Sequence, residues 1–279
     1  MSPEQLDEYE ERGFIALHDF FTRDELKPVI EEVTQHTYEI QNNITYGDDP
    51  TITDKCHFVT EPGTNKLRSV YGAHNTLASV DNLLRSRKIV SHVHQILGDD
   101  VYLHQCAINF HQAFTATGYT WHSDFEIFHA EDGMPRMRAQ TCIIMLSTNT
   151  CESGAIMVIP KSHRVFLSGA VETPADHLTT ASKFKLTAGE TDNMLVANLA
   201  NAYGIEYCLG DVGSVVFFDV NLIHGSHSNR SPWNRVNILP VYNSVNNKLV
   251  NAFSAPWDAR PEYMGSRSPE YVKPILLDK

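Results

Sequence analysis

The hydrophobic pattern of this chain changes period once, near residue 100, and that change restricts what the chain can become. Before it, apolar residues recur at helical intervals. Leu26, Val29, Ile30 and Val33 follow a capping box at Thr22–Glu25, and residues 77–97 carry Leu77, Val80, Leu83, Leu84, Ile89, Val93, Ile96 and Leu97 up to Gly98. Ser2-Pro3-Glu4-Gln5 opens an earlier helix that should end near Gly13. Beyond residue 100 come short runs rich in Val, Ile, Phe and Tyr, bounded by Gly, Pro, Asn or Asp. They span Val101–Phe110, Met137–Ser147, Gly154–Pro160, Glu206–Leu209, Gly213–Asp219 and Arg235–Asn243. Several short strands joined by loops predict a sandwich or jelly roll, with one helix at Asp192–Tyr203 before Gly204. The reading is a single mainly β domain over residues 1–279: a largely helical flank over 1–100, a β core over 101–245 and a C-terminal extension over 246–279.

Charge narrows the function. With 22 basic against 34 acidic side chains the formal charge is −12, which argues against nucleic acid and anionic membranes as partners and favours a small-molecule substrate. The N-terminus is acidic and lacks an apolar core, and no apolar run approaches the roughly 20 residues of a membrane span. The five cysteines are scattered among apolar neighbours with no CxxC pair, so free buried thiols in a cytoplasmic protein are expected.

Chemistry concentrates in Trp121-His122-Ser123-Asp124. In extended backbone residues i and i+2 share a face, so His122 and Asp124 can approach one metal ion together. Such triplets are common alone. Here a strand-like run, Gly213–Asp219, leads to Leu222-Ile223-His224-Gly225-Ser226, and Arg235 follows eleven residues later. Two histidines and one carboxylate that leave coordination positions open suit an Fe(II) oxygenase, and the arginine offers a planar fork for a carboxylate. The same three ligands also suit catalytic zinc. No HExxH helix is present, however, and hydrolysis has no need of the downstream arginine. The chain has no GxGxxG, Walker or GxSxG motif either.

These residues resemble the phytanoyl-CoA dioxygenase superfamily of Fe(II)/2-oxoglutarate oxygenases, and within it the ectoine hydroxylases and related proline and leucine hydroxylases. The likeness is densest at Trp121–Glu126, Glu131–Ala139, Met157–Pro160, Glu172-Thr173-Pro174 and Phe217–Ser226. It implies a double-stranded β-helix (cupin-like jelly roll) with iron held by His122, Asp124 and His224. The 2-oxoglutarate would have its distal carboxylate on Arg235, helped by Ser226 and Thr141 with Asn109 and Gln105 nearby. O2 would be consumed and succinate and CO2 released. Related halogenases replace the carboxylate ligand with a small residue, so Asp124 implies hydroxylation over chlorination.

Gln105, Phe128, Ala139, Asn237 and Leu239 are the substrate-facing positions that the resemblance suggests. The chain departs from the ectoine hydroxylase pattern at Ile127 and Phe128, at Ala107 where that pattern has arginine, at Leu239 where it has phenylalanine, and at Lys161 and His227. Retained chemistry on a different small polar metabolite is therefore expected: an amino acid, an imino acid, or an ectoine-like or mycosporine-like compound. Attack beside nitrogen would end as N-dealkylation through a hemiaminal. The alternative from another class is a non-catalytic protein that uses the metal site to bind a ligand. Tyr71 and Tyr119 are read as packing residues, and a homodimer fits the resemblance.

Overall fold

The computed structural model describes residues 1–43, 56–168, 191–253 and 260–275. Helix α1 (Pro3–Arg12) begins at Ser2, as expected, and is closed there by a reciprocal box: Gln5 N donates to Ser2 Oγ at 3.3 Å and Ser2 N donates to Gln5 Oε1 at 2.8 Å. It ends at Gly13, whose φ of 82° lies where side chains with a Cβ are strained. Strand β1 (Phe14–Leu17) follows, then α2 (Arg23–Asn43), where Thr22 and Glu25 cap one another. Strands β2 (His57–Thr60) and β3 (Leu67–Tyr71) precede α3 (Ala78–Leu84) and α4 (Arg87–Leu97). The amphipathic stretch 77–97 is thus two helices, broken where Ser86 turns extended at ψ 138°.

The β core continues with β4 (Val101–His111), β5 (Tyr119–His122), a single turn α5 (Asp124–Ile127), β6 (Ala139–Met145) and β7 (Met157–Val158). Helix α6 (Asn193–Tyr203) is capped by Asp192, whose carboxylate accepts from Met194 N and Leu195 N. Strands β8 (Glu206–Tyr207), β9 (Val215–Asp219), β10 (His224–Ser226) and β11 (Arg235–Ser244) complete the order.

All strand pairs among the described residues are antiparallel. Seven strands form one sheet in the order β1-β9-β6-β11-β4-β3-β2, and four form a second in the order β5-β10-β7-β8. The architecture is the double-stranded β-helix that the resemblance implied. The N-terminal hundred residues carry the helices α1–α4, and they add to the helical reading three short strands, β1, β2 and β3, that belong to the large sheet. At four or five residues each, these strands are too short to display an alternating pattern, and pairing decides their conformation, β1 with distant β9, β3 with β4 and β2 with β3.

Leu26, Val29 and Val33 of α2, Leu83 and Leu84 of α3, and Ile89 and Val93 of α4 cover the outer face of the large sheet. They meet Cys106, Ile108, Ile238 and Tyr242 there. Burial of each such aliphatic side chain contributes about 2 kcal/mol. The inner face looks toward the small sheet, and Ile143, Val216 and Phe218 pack against Ile156 and Val158. The five cysteines are free, and all but Cys151 are buried.

One irregularity in β4 shapes this inner face. Gln105 pairs with Val241 and Leu103 with Tyr242, so His104 is an extra residue, a β-bulge. Gln105, Ala107 and Asn109 therefore face inward while Leu103 and Val101 join the outer cluster. The bulge turns His104 to the same side as Gln105, where its ring lies edge-on to Phe128 and Nε2 donates to Asp132 at 3.1 Å.

Candidate active site

The metal-ligand candidates come together at one end of the inner space. His122 closes β5 and His224 opens β10, and the two are direct partners in the antiparallel register. Their rings lie 4.2 Å apart between centroids. Beyond His122 the strand stops, Ser123 accepts from Glu126 N to start α5, and Asp124 occupies its first position. Because Ser123 is still extended, at φ −111° and ψ 145°, Asp124 stays on the side of His122. Asp124 Oδ1 is 3.9 Å from His122 Nε2 and 3.8 Å from His224 Nε2.

The orientation of these groups matches the needs of a metal. His122 Nδ1 donates to Thr120 O at 2.7 Å and His224 Nδ1 donates to Leu222 O at 2.9 Å. A carbonyl can only accept, so each Nδ1 carries the proton and each Nε2 turns a lone pair toward Asp124. Thr141 Oγ1 donates to Asp124 Oδ2 at 2.8 Å, which leaves Oδ1 for an ion. One ligand atom from each of the three residues lies within 4.8 Å of the others. Burial, reinforced by His224, pushes the His122 imidazole down to about 4, so it is neutral at neutral pH and its Nε2 lone pair is unprotonated. The donor set fits a facial two-histidine, one-carboxylate site.

Arg235 opens β11 and is 1% exposed. Burial pulls its pKa down to about 10, and it still carries its charge at neutral pH. No carboxylate forms an ion pair with it among the described residues, and its Nε has no hydrogen-bond partner. Nη1 donates to the amide oxygen of Asn237 at 2.8 Å, and the amide nitrogen of Asn237 turns toward Asn149 Oδ1 at 3.1 Å. A buried cation without a counter-ion, beside a cavity, calls for an anionic guest.

The cavity between the sheets amounts to about 630 Å³ including its open mouth. Gln105, Asn109, Thr141, Ser226, Arg235 and Leu239 line it together with the three metal-ligand candidates. Phe128, Ala139 and Asn237 do not. Phe128 and Ala139 pack with Phe125, Met134 and Val220 behind the wall, because the chain coils inward after Asp124. Asn237 is fully buried and holds Arg235. The hydroxyl of Thr141, expected to help with 2-oxoglutarate, is engaged by Asp124.

Tyr71 and Tyr119, read as packing residues, are on the lining with Ala107, Ile156 and Val241. Ala107 and Leu239, two of the departures from the ectoine hydroxylase pattern, are direct cross-strand partners, and Tyr71 flanks Ala107 on its other side. Arg260, beyond the β core, went unseen in the sequence. Its guanidinium grips Asp132 through Nε at 2.8 Å and through Nη2, and Nη1 donates to Gln105 Oε1 at 3.4 Å. Burial favours the neutral acid, but Arg260 overrides it and holds the Asp132 carboxyl well below the usual range. Glu172-Thr173-Pro174 lies outside the described residues. No helix among the described residues is long and apolar enough to cross a membrane.

A double-stranded β-helix with an open facial triad and, beside it, a buried arginine that has no carboxylate partner among the described residues defines an iron(II)- and 2-oxoglutarate-dependent dioxygenase, and comparison with known proteins agrees. Residues 9–236 match the family model described as phytanoyl-CoA dioxygenase (PhyH), and the chain belongs to that family. It is 38% identical over 276 residues to the ectoine dioxygenase of Bordetella bronchiseptica, which covers 99% of this chain and 86% of the relative. With the ectoine dioxygenase of Nocardia farcinica the identity is 40% over 265 residues, 95% of this chain and 85% of the relative. Among solved structures, EctD from S. alaskensis with 2-oxoglutarate and 5-hydroxyectoine superposes with a TM-score of 0.84 at 32% identity, covering 99% of this chain and 88% of that one. EctD from the same source with bound Fe superposes with a TM-score of 0.80.

Proposed function

We propose that this chain hydroxylates an unactivated C–H bond of a small polar metabolite that carries a carboxylate, of the ectoine class or an amino or imino acid of similar size. His122, Asp124 and His224 would hold the iron, and Arg235 with Ser226 would hold the distal carboxylate of 2-oxoglutarate. Iron(II) bound with 2-oxoglutarate supplies oxygen activation coupled to decarboxylation to succinate and CO2. The protein's own part is to orient. The carbonyls of Thr120 and Leu222 fix the imidazole tautomers, Thr141 fixes Asp124, and Asn237 fixes Arg235.

The observation that carries the substrate class is the polarity of Gln105. A guanidinium can only donate, so the bond from Arg260 commits the Gln105 oxygen to it and turns the amide N–H groups toward the cavity. The cavity wall then offers donors, backed by the positive charge of Arg260, to an accepting group such as a carboxylate. The relatives named for ectoine support a compact zwitterion of that type. The Ala107–Leu239 pair gives a wall that is smaller and less charged than their pattern has, which favours a substrate related to ectoine but not identical in shape.

The test is succinate formation with Fe(II), ascorbate and 2-oxoglutarate, first with ectoine and then with proline, leucine, other amino acids and their N-methyl derivatives. Formaldehyde release from an N-methyl compound would assign dealkylation. Failure of every carboxylate-bearing candidate to stimulate turnover would overturn the substrate class.

A further inference from the structure

A buried ion pair lies behind the cavity wall, away from the metal ligands. Glu61 is 1% exposed and Arg68 4%. Arg68 Nη1 reaches both Glu61 oxygens, at 3.1 and 3.0 Å. Such a pair adds little stability over apolar side chains of equal volume, because two charges must be desolvated. Its remaining bonds all converge on one short segment.

Arg68 Nη1 donates to Thr117 O and Oγ1, Arg68 Nη2 donates to Gly118 O, and Glu61 Oε2 accepts from Thr117 N at 3.2 Å. This is the irregular chain between β4 and β5, which has no strand partner to take those backbone groups. Immediately beyond, the Arg68 guanidinium stacks 3.9 Å from the centroid of the Tyr119 ring. Tyr119 is on the cavity lining with Arg235 and Ser226. Its backbone N–H donates to Ser226 Oγ at 3.3 Å, so that oxygen is used as an acceptor and the hydroxyl proton is left to point elsewhere. Its phenol oxygen shares a 3.2 Å hydrogen bond with Ser69 Oγ, which donates to Asn109 Oδ1 at 2.9 Å. Gly118 is required by the same packing: a Cβ there would come within 2.1 Å of Ser226 O.

We infer that Glu61 and Arg68 are positioning residues for the 2-oxoglutarate pocket. They clamp residues 117–119 so that the Tyr119 ring walls the pocket and the Ser226 hydroxyl is free to donate beside Arg235. The inference rests on the cofactor assignment and not on the identity of the substrate.

The test is an anaerobic titration of 2-oxoglutarate into the Fe(II)-loaded protein, followed by the visible band of the chelate. Arg68→Lys keeps the charge opposite Glu61 but cannot span Thr117, Gly118 and the ring. It should weaken 2-oxoglutarate binding about tenfold. Fe(II) affinity, and kcat at saturating 2-oxoglutarate with the uncoupled turnover as reference, should stay within about twofold. Tyr119→Leu should give a similar loss, and the double variant no more than the larger single one, since Arg68 acts through Tyr119. Thr117→Val, which leaves the ion pair whole, should shift binding in the same direction by about threefold and decides the matter if Arg68→Lys does not fold. Unchanged 2-oxoglutarate affinity in the folded variants, additive losses in the double variant, or a parallel fall in Fe(II) affinity would overturn the inference.

Discussion

His122 and His224 face each other as cross-strand partners, and each gives its Nδ1 proton to the carbonyl two residues earlier in its own chain. The two imidazoles are thus set by the same local device on two antiparallel strands. A metal site of this kind is fixed by the backbone before any ion arrives, and the third ligand, Asp124, is held separately by Thr141.

Thr141→Val should therefore act on the metal without touching a ligand. The valine is close in volume but cannot donate to Asp124 Oδ2. Fe(II) affinity, measured by competition with a chromogenic chelator, should fall about tenfold while the melting temperature changes little.

Arg235 should be costly to the protein when 2-oxoglutarate is absent. Arg235→Gln should lose at least about a hundredfold in 2-oxoglutarate affinity, the scale of a lost charged hydrogen-bond pair. The ligand-free variant should be as stable as the parent or more so, because a desolvated charge without a counter-ion has been removed. Thermal unfolding with and without 2-oxoglutarate reads both effects.

Asp132→Ala should give the opposite result. It strands the Arg260 guanidinium, whose Nε and Nη2 both bond that carboxylate, and removes the partner of His104. Loss of one member of a buried pair costs about 3–5 kcal/mol, which urea denaturation would register as a large fall in midpoint.

Asp219 should leave a signature in the pH dependence of stability. Burial pushes its carboxyl up to about 6 from an unfolded value of 3.8. The folded state then holds the proton more tightly than the unfolded state. Its contribution is fully present below about pH 4 and is lost as pH rises through about 6, by up to about 3 kcal/mol. Asp219→Asn keeps an oxygen for Asn221 N, so the variant should gain on the parent across that interval and run parallel to it above. Denaturation midpoints at pH 4, 5, 6 and 7 would refute this if the difference between the two proteins stayed constant.

The parts of the site that could be read from the sequence are those written in short-range pattern. His122 and Asp124 announce themselves by the i, i+2 spacing, and His224 and Arg235 by where strand-like runs begin and end. The capping residues Ser2 and Thr22 were legible for the same reason. Arg260 was not, because its meeting with Gln105 spans 155 residues and depends on how the C-terminal segment crosses the sheet. Glu61, Arg68 and Tyr119 were hidden likewise, since their roles exist only once β3 lies beside β4. Phe128 and Asn237 are off the cavity lining because each is engaged elsewhere, Phe128 with Phe125 and Met134 and Asn237 with Arg235 and Asn149.

The bulge in β4 makes chain length itself a determinant of the site. A strand carries a two-residue phase, and the additional residue at position 104 inverts that phase between Leu103 and Gln105. Excision of His104 would let the ladder with β11 close without a bulge, Leu103 staying opposite Tyr242 and Gln105 opposite Val241, but Asp132 would lose its imidazole partner. One residue more at the same point would invert the alternation a second time and turn Val101 and Leu103 from the helices toward the interior. Insertions and deletions at this point should thus alter the enzyme more than most substitutions along the same strand.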